Sequence, residues 1–209
     1  RLLSSLAAST PAYLLGLLAL LFLAARLGWL PAGGRLSAEA QIVVGGAAWR
    51  PYTGMYTADA LLNRRPDVLL DAVHHLLLPV FTLAAGSLAY LLRLTRASML
   101  EALEQDYVRT AAAKGLSPDR VVRGHVWPNA RLPVVTFAGM MLVGLLGGVA
   151  MVETVFNLPG LGNRFLQAAA NVDVITTLGL TLYGAVVLVL GNLAVDLMYF
   201  WLDPRIRRP

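Results

Sequence analysis

Four apolar segments restrict this chain of 209 residues more than anything else in it: Pro11–Leu30, Leu76–Leu92, Pro133–Val152 and Val174–Leu202. A bilayer core about 30 Å thick needs roughly 20 apolar helical residues at about 1.5 Å each, and the four segments match that length. The fold class they predict is all-α, a polytopic transmembrane helical bundle with four spans in view. Composition points the same way, since 57% of the residues are apolar and 14% charged, against about a quarter charged in a soluble domain. The first segment follows an arginine near the start of the chain, as a cleaved leader would. Its apolar run exceeds the roughly 7 to 15 residues of such leaders, and three more spans follow it, so it reads as a span. Because the chain opens on Arg1 rather than Met, an N-terminal portion is expected to be missing.

Net charge is +5, which raises the question of a nucleic-acid partner. The placement of the charge answers it. Seven basic residues fall between the second and third segments (Arg93, Arg96, Arg109, Lys114, Arg120, Arg123, Arg131), and Arg205, Arg207 and Arg208 close the chain. Between Gly28 and His75 the arginines Arg35, Arg50, Arg64 and Arg65 are matched by Glu39, Asp59, Asp67 and Asp71. Basic residues next to span ends mark the cytoplasmic side. The stretch 93–131 and the C-terminus are therefore expected inside, and 28–75 outside. The basicity reports topology, and no nucleic acid is expected.

The outer stretch opens with the helix breakers Gly28, Pro31, Gly33 and Gly34, and 59–75 is expected to form a short surface helix leading into the second span. Gly144 and Gly148 form a small-xxx-small pair that suits close helix approach in the third span. Gly179, Gly184 and Gly191 mark the fourth. Past the third span, Pro159-Gly160-Leu161-Gly162 precedes a short helix expected at 163–170. Phe156, Leu158, Leu161, Phe165 and Leu166 give that connection an apolar face fit to rest in the interface.

Within 93–131 the sequence predicts two short helices hinged at Gly115. Ser117-Pro118-Asp119 supplies an N-cap, a proline at the first helical position and an acid at the positive end of the dipole. Gly115 is placed as the left-handed cap of the preceding helix, with Leu116 available for the apolar contact such caps make. An amphipathic hairpin lying on the lipid surface and a docking surface for a soluble partner both satisfy this pattern.

The residues themselves carry a resemblance. Asp106-Tyr107-Val108-Arg109-Thr110-Ala111-Ala112-Ala113-Lys114-Gly115-Leu116-Ser117, with His125 and Pro128 following at ten and thirteen residues past the glycine, resembles the "EAA" loop of ABC-importer permeases, the inner membrane components of binding-protein-dependent transport systems. The branch serving dipeptides, oligopeptides and nickel is most similar. Arg93-Leu94-Thr95-Arg96, Asn129-Ala130-Arg131-Leu132-Pro133, Val152-Glu153-Thr154-Val155-Phe156, Leu27-Gly28-Trp29-Leu30-Pro31 and Asn192 through Asp196 to Asp203-Pro204-Arg205 extend the likeness over nearly the whole chain. Two departures stand out. Arg109-Thr110-Ala111 occupies the place of the family's Glu-Ala-Ala, as in much of the peptide branch, and about six spans are usual where four are seen.

The resemblance implies a single transmembrane permease domain over 1–209 with a coupling loop at 93–131, in a bacterial or archaeal inner membrane. It also implies a second permease subunit, two ATP-binding subunits and an extracytoplasmic solute-binding protein as partners. Arg109, Thr110, Ala111, Ala112, Lys114, Gly115, Leu116, Ser117 and Pro118 would form the ATPase-coupling loop, with Gly115 fixing the elbow, Ala111, Ala112 and Leu116 facing the ATPase groove, and Arg109, Lys114 and Arg120 pairing with acids around it. The transported solute would be a di- or oligopeptide, with nickel chelates and oligosaccharides as alternatives. Two N-terminal spans would precede the present chain.

Asp196 lies seven residues before Asp203, about 10 Å inside its span. Ionisable groups at such depth face a bundle interior or a water path, and Asn192, Asp196 and Tyr199 share a helix face. Translocation-path lining and a structural hydrogen-bond knot are the two readings. Glu153, at the outer end of the third span, fits an outer gate, a contact with a binding protein or a solvated helix end. His74 and His75 project about 100° apart on a helix and lack companions for a ligand set, so no metal is expected. No catalytic group is expected either. With no Gly-rich phosphate loop, no cofactor is expected on this chain, and ATP would be used by the partner subunits. A secondary, ion-coupled transporter and a non-transporting membrane scaffold are the rival readings.

Overall fold

The computed structural model describes residues 11–202, so Arg1, the motif Asp203-Pro204-Arg205 and the tail arginines lie outside the described residues. Every regular element among those described is helical. In chain order they are α1 (Ala12–Ala19, continued by a π-helical stretch Leu20–Arg26), α2 (Ala38–Gly45), α3 (Tyr56–Leu62), α4 (Pro66–Leu103), α5 (Asp106–Ala113), α6 (Pro118–Val121), α7 (Trp127–Leu146), α8 (Ala150–Val155), α9 (Leu161–Ala170) and α10 (Val174–Leu202). A π-helical stretch, Val122–Val126, joins α6 to α7 without a break. Among the described residues, three helices are long and apolar enough to cross a membrane: Pro66–Leu103, Pro118–Leu146 and Val174–Phe200. The first apolar segment holds a shorter helix, Ala12–Arg26, which ends where Gly28 takes a φ of 62°.

The helices overrun the apolar segments. The second span begins at Pro66 and runs through 38 residues to Leu103, so the surface helix expected at 59–75 is divided between α3 and the start of this long helix. The third span stops early, because Gly147 caps α7 and Gly148 turns to a φ of 95°. Val152 therefore belongs to the separate helix α8.

The chain forms two compact units. One comprises residues up to Gly86 together with Val149–Asn171; the other comprises Ser87–Gly148 and residues from Val172 onward. The first unit holds two apolar clusters. Leu36, Ala40, Ala60, Val68 and Ala72 form the core of the segment between α1 and α4. Leu78, Val152 and Phe156 form another, against Ala12, Ala19, Leu20 and Leu23 of α1. Phe156 is fully buried there, so it does not contribute to the interfacial face that its sequence position suggested, while Leu161, Phe165 and Leu166 stay exposed.

Polar groups hold the α1–α4 segment together. The Ser37 hydroxyl accepts from the Ala40 N–H at the start of α2 (3.2 Å), and Asp71 accepts from the Ser37 N–H at 2.8 Å. Asp59, 1% exposed, accepts from the N–H (2.7 Å) and hydroxyl (2.8 Å) of Thr53 and the N–H of Gly54 (3.0 Å). Burial pushes its carboxyl up, but these bonds outweigh it and hold Asp59 below the ordinary carboxylate range. In the same stretch Arg65 pairs with Asp67 at 2.6 Å. Asp59 is satisfied by two backbone N–H groups and a hydroxyl, and Asp71 by a backbone N–H with His75 Nδ1 3.6 Å away.

In the second unit α7 and α10 pack in antiparallel register through a reciprocal contact. Gly139 faces Val195, and four residues along each helix Val143 faces Gly191. A Cβ placed at Gly139 would lie 2.6 Å from a Val195 methyl carbon, and one at Gly191 would overlap Val143 still more closely. Both valines are 8% exposed. The small-residue contact thus uses Gly139 and Gly191. Gly148 has left the helix, and Gly144 has open space where a Cβ would go.

Candidate functional site

The turn between α5 and α6 is built as a complete C-capping motif. With Lys114 as C-cap and Gly115 beyond it at a φ of 80°, the Gly115 N–H donates to Ala112 O (3.0 Å) and the Leu116 N–H to Ala111 O (3.4 Å). These are the paired reverse bonds that finish a helix on a left-handed residue. Leu116 then folds back onto the apolar cluster of Ala102, Val108, Ala111, Val121, Val126 and Ala130, beside Met99 and Tyr107. The cluster draws on the end of α4, on α5, on α6 and on the start of α7. A turn on the surface is thereby anchored to both helices that flank it.

Pro118 occupies the first helical position of α6 as the sequence predicts, and Ser117 has N-cap backbone angles but makes no side-chain cap bond. The second arm of the elbow departs from expectation. It is no separate short helix: α6, the π-helical stretch and α7 run together as Pro118–Leu146. Pro128 explains the wider turn. Its ring and missing N–H disrupt a regular α-helix at the preceding turn, and the π-helical geometry of Val122–Val126 accommodates it without ending the helix.

The residues expected to form a coupling loop divide by exposure. Ala111 is 5% exposed and Leu116 half-buried, both within the cluster; they set the elbow's shape, and only Ala112 of the expected apolar face is free to meet a partner. Arg109 lies 3.6 Å from Asp106, both exposed, and the Thr110 hydroxyl donates to Asp106 O at 2.9 Å. Lys114, Ser117, Pro118 and Arg120 are exposed. Asp119 pairs with Arg123 at 3.0 Å.

Asp196 and Tyr199 line an open cleft of about 570 Å³ with Tyr90, Leu94, Pro133, Thr136, Phe137 and Met140. Asn192 is exposed and does not line it, so the structure brings together two of the three residues expected to act on one face. The Tyr90 and Phe137 rings stack 4.3 Å apart, a pairing that spacing in the sequence does not reveal.

Glu153 belongs to the first unit and has a local task. It accepts from the Val149 N–H (3.1 Å) at the start of α8 and from the Asn163 N–H (2.6 Å) in the first turn of α9. The N-cap position of α9 is Gly160, which has no side chain to offer; its Cα faces the Glu153 carboxylate so closely that a Cβ there would push the carboxylate aside. Glu153 therefore serves as a borrowed cap for one helix and a back-reaching cap for the other. Replacing Glu153 with Ala is expected to cost about 1 kcal/mol and to speed amide exchange at Asn163 roughly fivefold, measured by hydrogen–deuterium exchange. His74 and His75 donate locally, from Nε2 to Trp29 O at 3.1 Å and from Nδ1 to Asp71 O at 2.8 Å.

A family model described as "Binding-protein-dependent transport system inner membrane component" matches residues 1–208. Among curated relatives, the di/tripeptide transport system permease protein DppB of Pseudomonas aeruginosa (strain UCBPP-PA14) is 40% identical over 199 residues, which is 95% of this chain and 57% of that protein. The oligopeptide transport system permease protein AppB of Bacillus subtilis (strain 168) is 38% identical over 94% of this chain and 54% of its own length. The probable D,D-dipeptide transport system permease protein DdpB of Escherichia coli (strain K12) is 38% identical over 100% of this chain and 59% of its own. The chain thus spans a little over half the length of these relatives.

Proposed function

Since the chain belongs to the family of binding-protein-dependent transport system inner membrane components, we propose that it is the membrane-spanning part of a permease subunit in an ATP-driven importer of short peptides. It forms one half of the translocation path, with a second permease subunit forming the other. ATP is hydrolysed by two separate ATPase subunits, and a solute-binding protein delivers the peptide from outside. Peptide as the solute follows from the relatives, all three of which are named as permeases of peptide transport systems.

The observation that carries the coupling role is the elbow at Gly115. A full capping motif and an apolar cluster fix the shape of this solvent-facing turn, as a rigid docking element requires. Here Lys114, Ser117 and Pro118 are held outward by Ala111 and Leu116, which are held inward. Residues 93–131 lie on the cytoplasmic face, where seven basic residues satisfy the positive-inside bias. Motion of the ATPases enters at α5 and passes into both span helices through the shared cluster.

These 209 residues contain no cysteine, so a thiol introduced here has no neighbour of its kind within them, and the transporter without the substitution serves as the background control. Lys114→Cys in the complete transporter is expected to crosslink to an ATPase subunit, and to react with a membrane-impermeant maleimide only from the cytoplasmic face. Labelling from outside intact cells would overturn the topology. Labelling from inside without a crosslink at any tether length would overturn the coupling role.

A further inference from the structure

We propose that the cleft around Asp196 is a binding site for a primary ammonium group. Asp196 sits in α10, inside the apolar run Val174–Phe200 that is long enough to cross a membrane. An ionised carboxylate in such a run is costly unless it meets a cation or water. Among the described residues it has no ion-pair partner. The other groups facing the cleft are suited to a cation. Tyr90, Phe137 and Tyr199 present aromatic rings, whose negative faces attract an ammonium within about 6 Å. The Thr136 hydroxyl spends its proton on Leu132 O at 3.0 Å, which leaves its lone pairs as acceptors.

The donor set selects the ligand class. An anion is excluded by the carboxylate. A divalent metal needs several hard ligands, and no cluster of three His, Cys, Asp or Glu exists among the described residues. An alkylammonium, with three N–H donors and a charge diffuse enough for aromatic contact, uses one carboxylate, neutral oxygens and rings together. The cleft volume of about 570 Å³ lies within the usual range for small-molecule sites.

Two sources supply such a group: the amino terminus of a peptide in transit, and the headgroup of an aminophospholipid. The first rests on the importer reading above; the second does not. Dicyclohexylcarbodiimide, which enters lipid and modifies carboxyls, distinguishes them when adduct formation at Asp196 is followed by peptide mass spectrometry in the reconstituted complete transporter. In vesicles of phosphatidylglycerol, millimolar L-alanyl-L-alanine is expected to slow labelling at least about fivefold, while N-acetyl-L-alanyl-L-alanine leaves it unchanged. If the lipid is the source, replacing half of the phosphatidylglycerol with phosphatidylethanolamine slows labelling with no peptide added. Tyr90→Leu is expected to weaken either protection about threefold and Tyr90→Phe to preserve it.

Equal protection by the acetylated peptide, or no protection by either amine, overturns the proposal. So does an Asp196 that never reacts, which would mean that a cation of another subunit already covers it. ATP-driven uptake measured in the same vesicles keeps the two questions apart: uptake without amine protection sinks this site alone, whereas protection without uptake sinks the importer reading alone.

Discussion

Replacing Gly115 with valine is expected to reduce ATP-driven uptake by the complete transporter at least about tenfold, while the chain still inserts and the ATPases still turn over ATP. Gly115 adopts a φ of 80°, where a β-branched residue is strained by roughly 1–3 kcal/mol. That strain is comparable to the roughly 1.4 kcal/mol that shifts a two-state population tenfold. Open space surrounds the position, so the penalty is one of backbone conformation and not of collision. The distinction yields a control. Gly115→Asn places a side chain of similar bulk on a residue type that tolerates the left-handed region, and it should retain most of the uptake. If valine and asparagine behave alike, the capping geometry is irrelevant to transport. Uptake and ATP hydrolysis should be measured in parallel, since a fall in both would indicate a loss of assembly and not of coupling.

The second large effect is expected at the α7–α10 contact. Gly191→Val drives a methyl-bearing side chain into Val143, and overpacking a close helix contact costs about 1–3 kcal/mol or more. The yield of folded subunit, read by size-exclusion chromatography after heating in detergent, should fall sharply. Val143→Gly alone leaves a void and is also destabilising. Combined, the two substitutions exchange the small and large partners across the interface, and most of the lost stability should return. The same exchange at Gly139 and Val195 provides an independent replicate. Failure of both double variants to recover would show that the close approach is not a specific packing contact.

Helical class and the long apolar helices were readable because lipid demands runs of apolar residues, and such runs survive any detail of packing. The capping of α5 was readable for the same kind of reason. Gly115, Leu116 and Pro118 act over a few residues, and local rules describe them. Packing partners were not readable. Gly144 and Gly148 had the better motif, yet the contact is made through Gly139 and Gly191, each four residues from a valine on its own helix. Nothing local says that one helix will present glycine where its neighbour presents valine. Glu153 shows the limit from the other side. Its charge and position left an outer gate, a binding-protein contact and a solvated helix end open, and its bonds to the N–H groups of Val149 and Asn163 were not readable from spacing.

The unbroken run Pro118–Leu146 makes the elbow's second arm and the span a single lever. At about 1.5 Å per residue its 29 residues reach roughly 43 Å, longer than the hydrocarbon layer is thick. A tilt of about 5° applied at its near end therefore sweeps the far end sideways by roughly 4 Å, close to the width of a methyl group. A gate at the opposite membrane surface needs no relay of intermediate parts if its doorpost and its handle are one rod.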